Sequence, residues 1–147
     1  MGDRSTFTDE EWQQLQWAVM MAGSHVSGSD YPGFWDSMKE AAAGSRFLTI
    51  LRDDDNALVA SLARDQGRKK PHDVKNREDL GGEPALAHVR VGAALVEAKA
   101  PEDLADFRDM LVALATAVAD GVDGTSEKEA EAVERIRAAV GAPTAGA

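Results

Sequence analysis

The residues best suited to chemistry stand in one run, Ala119-Asp120-Gly121-Val122-Asp123-Gly124-Thr125-Ser126-Glu127-Lys128-Glu129. Hard divalent cations take carboxylate and carbonyl oxygens as ligands. Asp120 and Asp123 on a short connection, with Glu127 and Glu131 on the helix that follows, would offer such oxygens to a calcium or magnesium ion. The spacing is not that of an EF-hand. Starting that loop at Asp120 puts Val122 and Gly124 at its third and fifth positions, where Asp or Asn is needed. The same residues also have a purely structural use: Asp and Gly make a turn, and Ser126 with Glu129 forms an S-x-x-E helix cap. Both uses are open on the sequence alone.

Other chemistry-bearing residues are less well supported. His72-Asp73 is the dipeptide that HD-type metal phosphohydrolases use, but it follows Pro71 in a lysine-rich loop, a poor mount for rigid ligands. His25 and His88 complete the histidines, and no H-E-x-x-H occurs. His88 reads as a partly buried structural residue. There is no cysteine, which removes thiolate zinc sites, disulfides and cysteine nucleophiles together. No G-x-S-x-G, G-x-G-x-x-G or Walker A pattern is present. The run Asp53-Asp54-Asp55 has the donors to bind a cation and also suits the start of a helix.

Charge narrows the class of partner. The chain has 147 residues, is 44% apolar and carries a formal net charge of −10. That field repels nucleic acid and anionic lipid. It favours a cation, a basic protein partner or self-association. Six basic residues between Arg64 and Arg77 face two acids, a local excess of four, whereas Pro101 to Ala147 holds ten acids against four bases. Such asymmetry suits a homo-oligomer or a charged partner as well as plain solvation. No apolar run approaches the ~20 residues that span a bilayer, and no apolar leader follows Met1. The expectation is a cytoplasmic protein with no integral membrane segment.

The elements that must position these groups are helical. Thr8 reads as an N-cap, with Asp9, Glu10 and Glu11 in the first turn and Trp12, Leu15, Val19 and Ala22 on one face. Trp17 lies nearly opposite Trp12, so it either packs a second neighbour or marks a contact surface. The stretch from Gly23 to Ser29 reads as a loop. Asp30 and Pro32 then open a second helix carrying Phe34, Trp35 and Met38, which Gly44 ends. Phe47 to Leu51 reads as a short third helix. A fourth starts at Asp53–Asp55, with Leu58, Val59 and Leu62 as core. Residues 66–82 are irregular. Helices with Leu86, Val89, Ala93 and Val96, then with Leu104, Phe107, Leu111, Leu114 and Val118, then with Val133, Ile136 and Val140, complete the set. The fold class is all-α: a compact bundle of about seven helices, residues 1–141 forming one domain and 142–147 a disordered tail.

The Ala119-Asp120-Gly121 helix end, the short loop and the acidic helix start with Glu127 or Glu129 resemble the TerB-like domains of tellurite-resistance and related stress proteins. The resemblance implies an all-helical domain of two similar halves, whose acidic residues hold a divalent cation. The chain departs from the pattern in two ways. Asp123 takes the place of an apolar residue, and in the corresponding first-half stretch, Met21 to Ser27, Gly23 stands where the Asp belongs. The implied function is a non-enzymatic stress-response module, in which the Asp120–Glu131 segment binds a cation or faces a partner. The alternative is a metal-free interaction or scaffold domain that uses the Trp17 region or the basic run.

Overall fold

The computed structural model describes residues 3–29, 34–66, 83–120 and 127–141, and for 24, 26–29 and 34–42 it describes the backbone alone. Among them there are six α-helices and no strand: α1 (Asp9–Ser29), α2 (Phe34–Leu51), α3 (Ala57–Asp65), α4 (Glu83–Lys99), α5 (Leu104–Ala119) and α6 (Glu127–Val140). Short 3-10 turns at Arg4–Thr6 and Pro101–Asp103 lead into α1 and α5. The all-helical expectation holds for these residues. No helix among them is long and apolar enough to cross a membrane.

Two helices carry the packing. α1 and α5 each touch all five of the other helices. Trp12, Leu15, Ala18, Val19 and Ala22 of α1 are buried, as are Phe107, Leu111, Leu114 and Val118 of α5. These are the three-four stripes that the sequence displays, so burial of those faces holds the bundle together. The start of α1 is fixed as its sequence requires. The Thr8 N–H donates to Glu11 Oε1 at 2.9 Å, and the Glu11 N–H donates to Thr8 Oγ1 at 3.1 Å, a reciprocal cap.

Three sequence expectations are corrected. The segment expected as a Gly23–Ser29 loop is helical and completes α1. The second and third expected helices are one continuous α2, in which Gly44 is an interior residue. The physical reason is shared. A helical glycine costs only about 1 kcal/mol relative to alanine, and both glycines face the buried Val118 of α5. A Cβ at Gly23 would lie 3.5 Å from Val118 of α5, and one at Gly44 would lie 3.2 Å from the same side chain. His25, in the supposed loop, is 1% exposed. Tertiary burial outweighs the local cost. Third, the Asp53–Asp55 run forms the turn between α2 and α3, and the residue that caps α3 is Asn56.

α1 and α4 approach closely at Gly92, where an added Cβ would lie 2.6 Å from the Cβ of Ala18. The bundle closes where α6 ends: Arg108 of α5 donates from Nε to the Val140 carbonyl at 2.6 Å, and Gly141 follows with φ +74°. The helix therefore stops at Gly141 in a left-handed C-cap. Asp30, Pro32, the irregular stretch from 67 to 82 and the tail 142–147 lie outside the described residues.

Candidate functional site

The expected acidic loop is described only at its two ends. Asp120 is the C-cap residue of α5 and is exposed. Glu127 is the first residue of α6, and Glu131, one turn on, stands 3.7 Å from Arg135 in an exposed ion pair. Glu129, expected to serve the cap, is buried in the first turn of α6. Asp123 and Ser126 lie outside the described residues. Among the described residues no group of three or more His, Asp or Glu side chains is placed to hold a metal ion.

A different polar constellation, centred on Asn56, is built between α3 and α5. Its amide serves both neighbours. Oδ1 accepts the Val59 N–H at 3.1 Å, the capping bond of α3. Nδ2 donates to Asp103 Oδ1 at 3.0 Å and to Asp106 Oδ2 at 2.8 Å. The amide orientation is forced, because one end meets an N–H and the other meets only carboxylate oxygens. The backbone N–H of Asn56 donates to Asp54 Oδ1 at 2.9 Å, which turns the chain into α3. Asn56 is 7% exposed and Asp103 1%, so the bond between them is sheltered from water and an amide lost here is costly. Asp103 and Asp106 stand at the start of α5, where the helix dipole favours negative charge.

Beside this network, α2, α3 and α5 enclose a groove of about 350 Å³. Phe47, Leu51, Val59, Met110 and Ala113 form its apolar floor. Asp54, Asp55, Asp106 and Asp109 stand around it, and no basic side chain lines it. It holds no histidine, serine, threonine, tyrosine or lysine, so carboxylates are the only ionisable groups of its lining. The arrangement is suited to recognition: an apolar surface for contact area and carboxylates that select the sign of the occupant's charge.

The remaining sequence candidates have structural placements. His88 stacks on Trp17 with ring centroids 5.2 Å apart and planes at 16°, so Trp17 packs a second neighbour. Trp12 donates from Nε1 to Asp65 Oδ2 at 2.9 Å and lies under Arg4, whose guanidinium carbon is 5.1 Å from the ring centre. His72-Asp73 and the basic run beyond Arg64 lie outside the described residues, apart from Asp65, just named, and Gln66. Sequence reasoning missed Asn56, Asp103 and Asp106 as a unit. The available signal was Asp103, Asp106 and Asp109 at spacings of three, which put one carboxylate on each turn of a single helix face. Neither a family model, a curated protein nor a solved structure matches this chain.

Proposed function

We propose that this chain is a non-catalytic binding module that works by protein contact. The observation that carries the reading is the groove bounded by α2, α3 and α5: an apolar floor, a ring of carboxylates and a buried Asn56 that holds two of its walls in register. Such a surface is preorganised, which lowers the ordering cost of association. The test is site-specific photo-crosslinking in the cells that express the protein. A photoreactive residue at Ile50, beside the groove, is compared with one at Val91 on α4. Both positions are exposed. A discrete adduct from position 50 that is absent from position 91 is the expected result. Adducts from neither position, or the same adducts from both, overturn the reading.

A second reading keeps the divalent-cation module of the TerB-like kind. It is favoured by the placement of Asp120 and Glu127 at the two ends of one short connection, with Glu131 one turn on. A bound calcium or magnesium ion there would neutralise carboxylates of this segment and fix the angle between α5 and α6. Calorimetric titration of calcium, then magnesium, into chelator-stripped protein tests it. Saturable heat that disappears in Asp120→Asn supports the cation site, and no heat at millimolar ion rejects it.

A further inference from the structure

Building on the binding-module reading, we infer that the groove receives an amphipathic helix of a partner protein that carries Lys or Arg beside bulky apolar side chains. Four features of the site select that occupant. Asp54, Asp55, Asp106 and Asp109 surround the groove with no basic residue among the lining, so the occupant is cationic. The floor is apolar and the volume sits at the lower end of the roughly 300–1,000 Å³ of small-molecule pockets, room for one or two anchoring side chains. Apolar surface continues outside the groove: Ile50, on the same helix as Phe47 and Leu51, is 74% exposed. A small organic amine would leave that surface wet, whereas a polypeptide that extends past the groove covers it. Finally, the walls are helices, and among the described residues there is no strand edge for an extended peptide to join. Recognition of a peptide then takes the helix-in-groove form, with apolar anchors at spacings of three and four facing the floor and the basic residues flanking them.

The charge of the whole chain would draw any polycation, so the test separates this site from the general field. The probe is a fluorescein-labelled helix of about 15 residues built from Leu, Ala and Lys, with a Glu-for-Lys counterpart as control, followed by fluorescence anisotropy. Expected is saturable binding of the basic helix and none of the acidic one. Asp55→Lys with Asp109→Lys should weaken it by about tenfold or more, the scale of losing close charge pairs in an interface. The charge-matched pair Glu10→Lys with Glu97→Lys, on helices that do not line the groove, should leave it within about threefold. Ile50→Asn, which removes the apolar contact and adds no charge, should weaken it. All of these positions are exposed, and circular dichroism confirms that each variant is folded. Equal weakening by the two charge-matched pairs would overturn the inference, as would full displacement of the helix by equimolar spermidine, which would make the site one for a small amine. No binding of the basic helix, with the position-50 adducts intact, rejects the helix inference and leaves the binding-module reading standing. Loss of both rejects both.

Discussion

At the scale of single residues, Asn56 does more than its composition suggests. It caps α3 through Oδ1 and neutralises nothing, yet it supplies both N–H donors that tie Asp103 and Asp106 to the neighbouring helix. Asn56→Ala removes the cap, worth about 1 kcal/mol, and takes a donor from a buried carboxylate, worth a further ~1–2 kcal/mol. Urea denaturation should show a loss of about 2–3 kcal/mol with an unchanged m-value. A loss below about 0.5 kcal/mol would mean that the bonds to Asp103 and Asp106 contribute little. Nothing in the sequence around Asn56 distinguished it from the acids before it. Asp53, Asp54, Asp55 and Asn56 are all good caps. The choice among them is made by α5, which presents two carboxylates that an amide can bond and a fourth Asp would repel. That is long-range information, absent from a local reading.

At the scale of elements, the stripes of α1, α4, α5 and α6 were legible because their periodicity comes directly from burial on one face. The glycines were not, because a helix-interior glycine and a helix-ending glycine look the same until the facing surface is known. The facing surfaces give opposite predictions for one substitution. At Gly92 a methyl would meet the Ala18 Cβ at 2.6 Å, an atom that cannot rotate away, so Gly92→Ala should cost about 1–3 kcal/mol by forcing α1 and α4 apart. At Gly23 the nearest atom is 3.5 Å away, an ordinary contact. Gly23→Ala should therefore be neutral or add up to about 1 kcal/mol through helix propensity alone. Thermal unfolding of the pair checks both signs. The start of α1 carries a pH dependence. Lys99 bonds Glu11 at 2.6 Å, and with the Thr8 cap it holds the Glu11 carboxyl below its ordinary range. The unfolded chain then binds the proton more readily than the folded one. This contribution is present above the ordinary glutamate value and is lost as pH falls through the lower, folded one. Acidification through that window should lower the hydrogen-exchange protection factors of the Glu11 and Trp12 amides, which bond to Thr8, and Glu11→Gln should remove that pH dependence.

At the scale of the whole molecule, the net charge of −10 is the dominant long-range term. Its self-repulsion reaches about 30 Å at 0.01 M ionic strength and about 8 Å at 0.15 M. Surface ion pairs such as Arg4–Asp9 and Glu83–Arg90 are solvent-exposed and contribute little in either case. Stability should therefore rise with salt over that range, by about 2–4 °C in Tm for each kcal/mol of repulsion relieved. A Tm that falls with salt in a scanning calorimeter would show that attractive pairs outweigh the net field. The composition made that field plain from the outset. It did not show where the field is concentrated, because the groove carboxylates come from Asp54 and Asp55 on one side and Asp106 and Asp109 on the other, far apart along the chain.

The central place of α1 also has a consequence during synthesis. Its apolar face, from Trp12 to Ala22, is completed by α4 and α5, and both are translated well after it. At roughly 5–20 residues per second, α1 waits several seconds for the surfaces that cover it. For that interval a tryptophan-bearing apolar stripe is open to solvent. The nascent chain is then vulnerable to aggregation at a helix face that is buried in the finished protein.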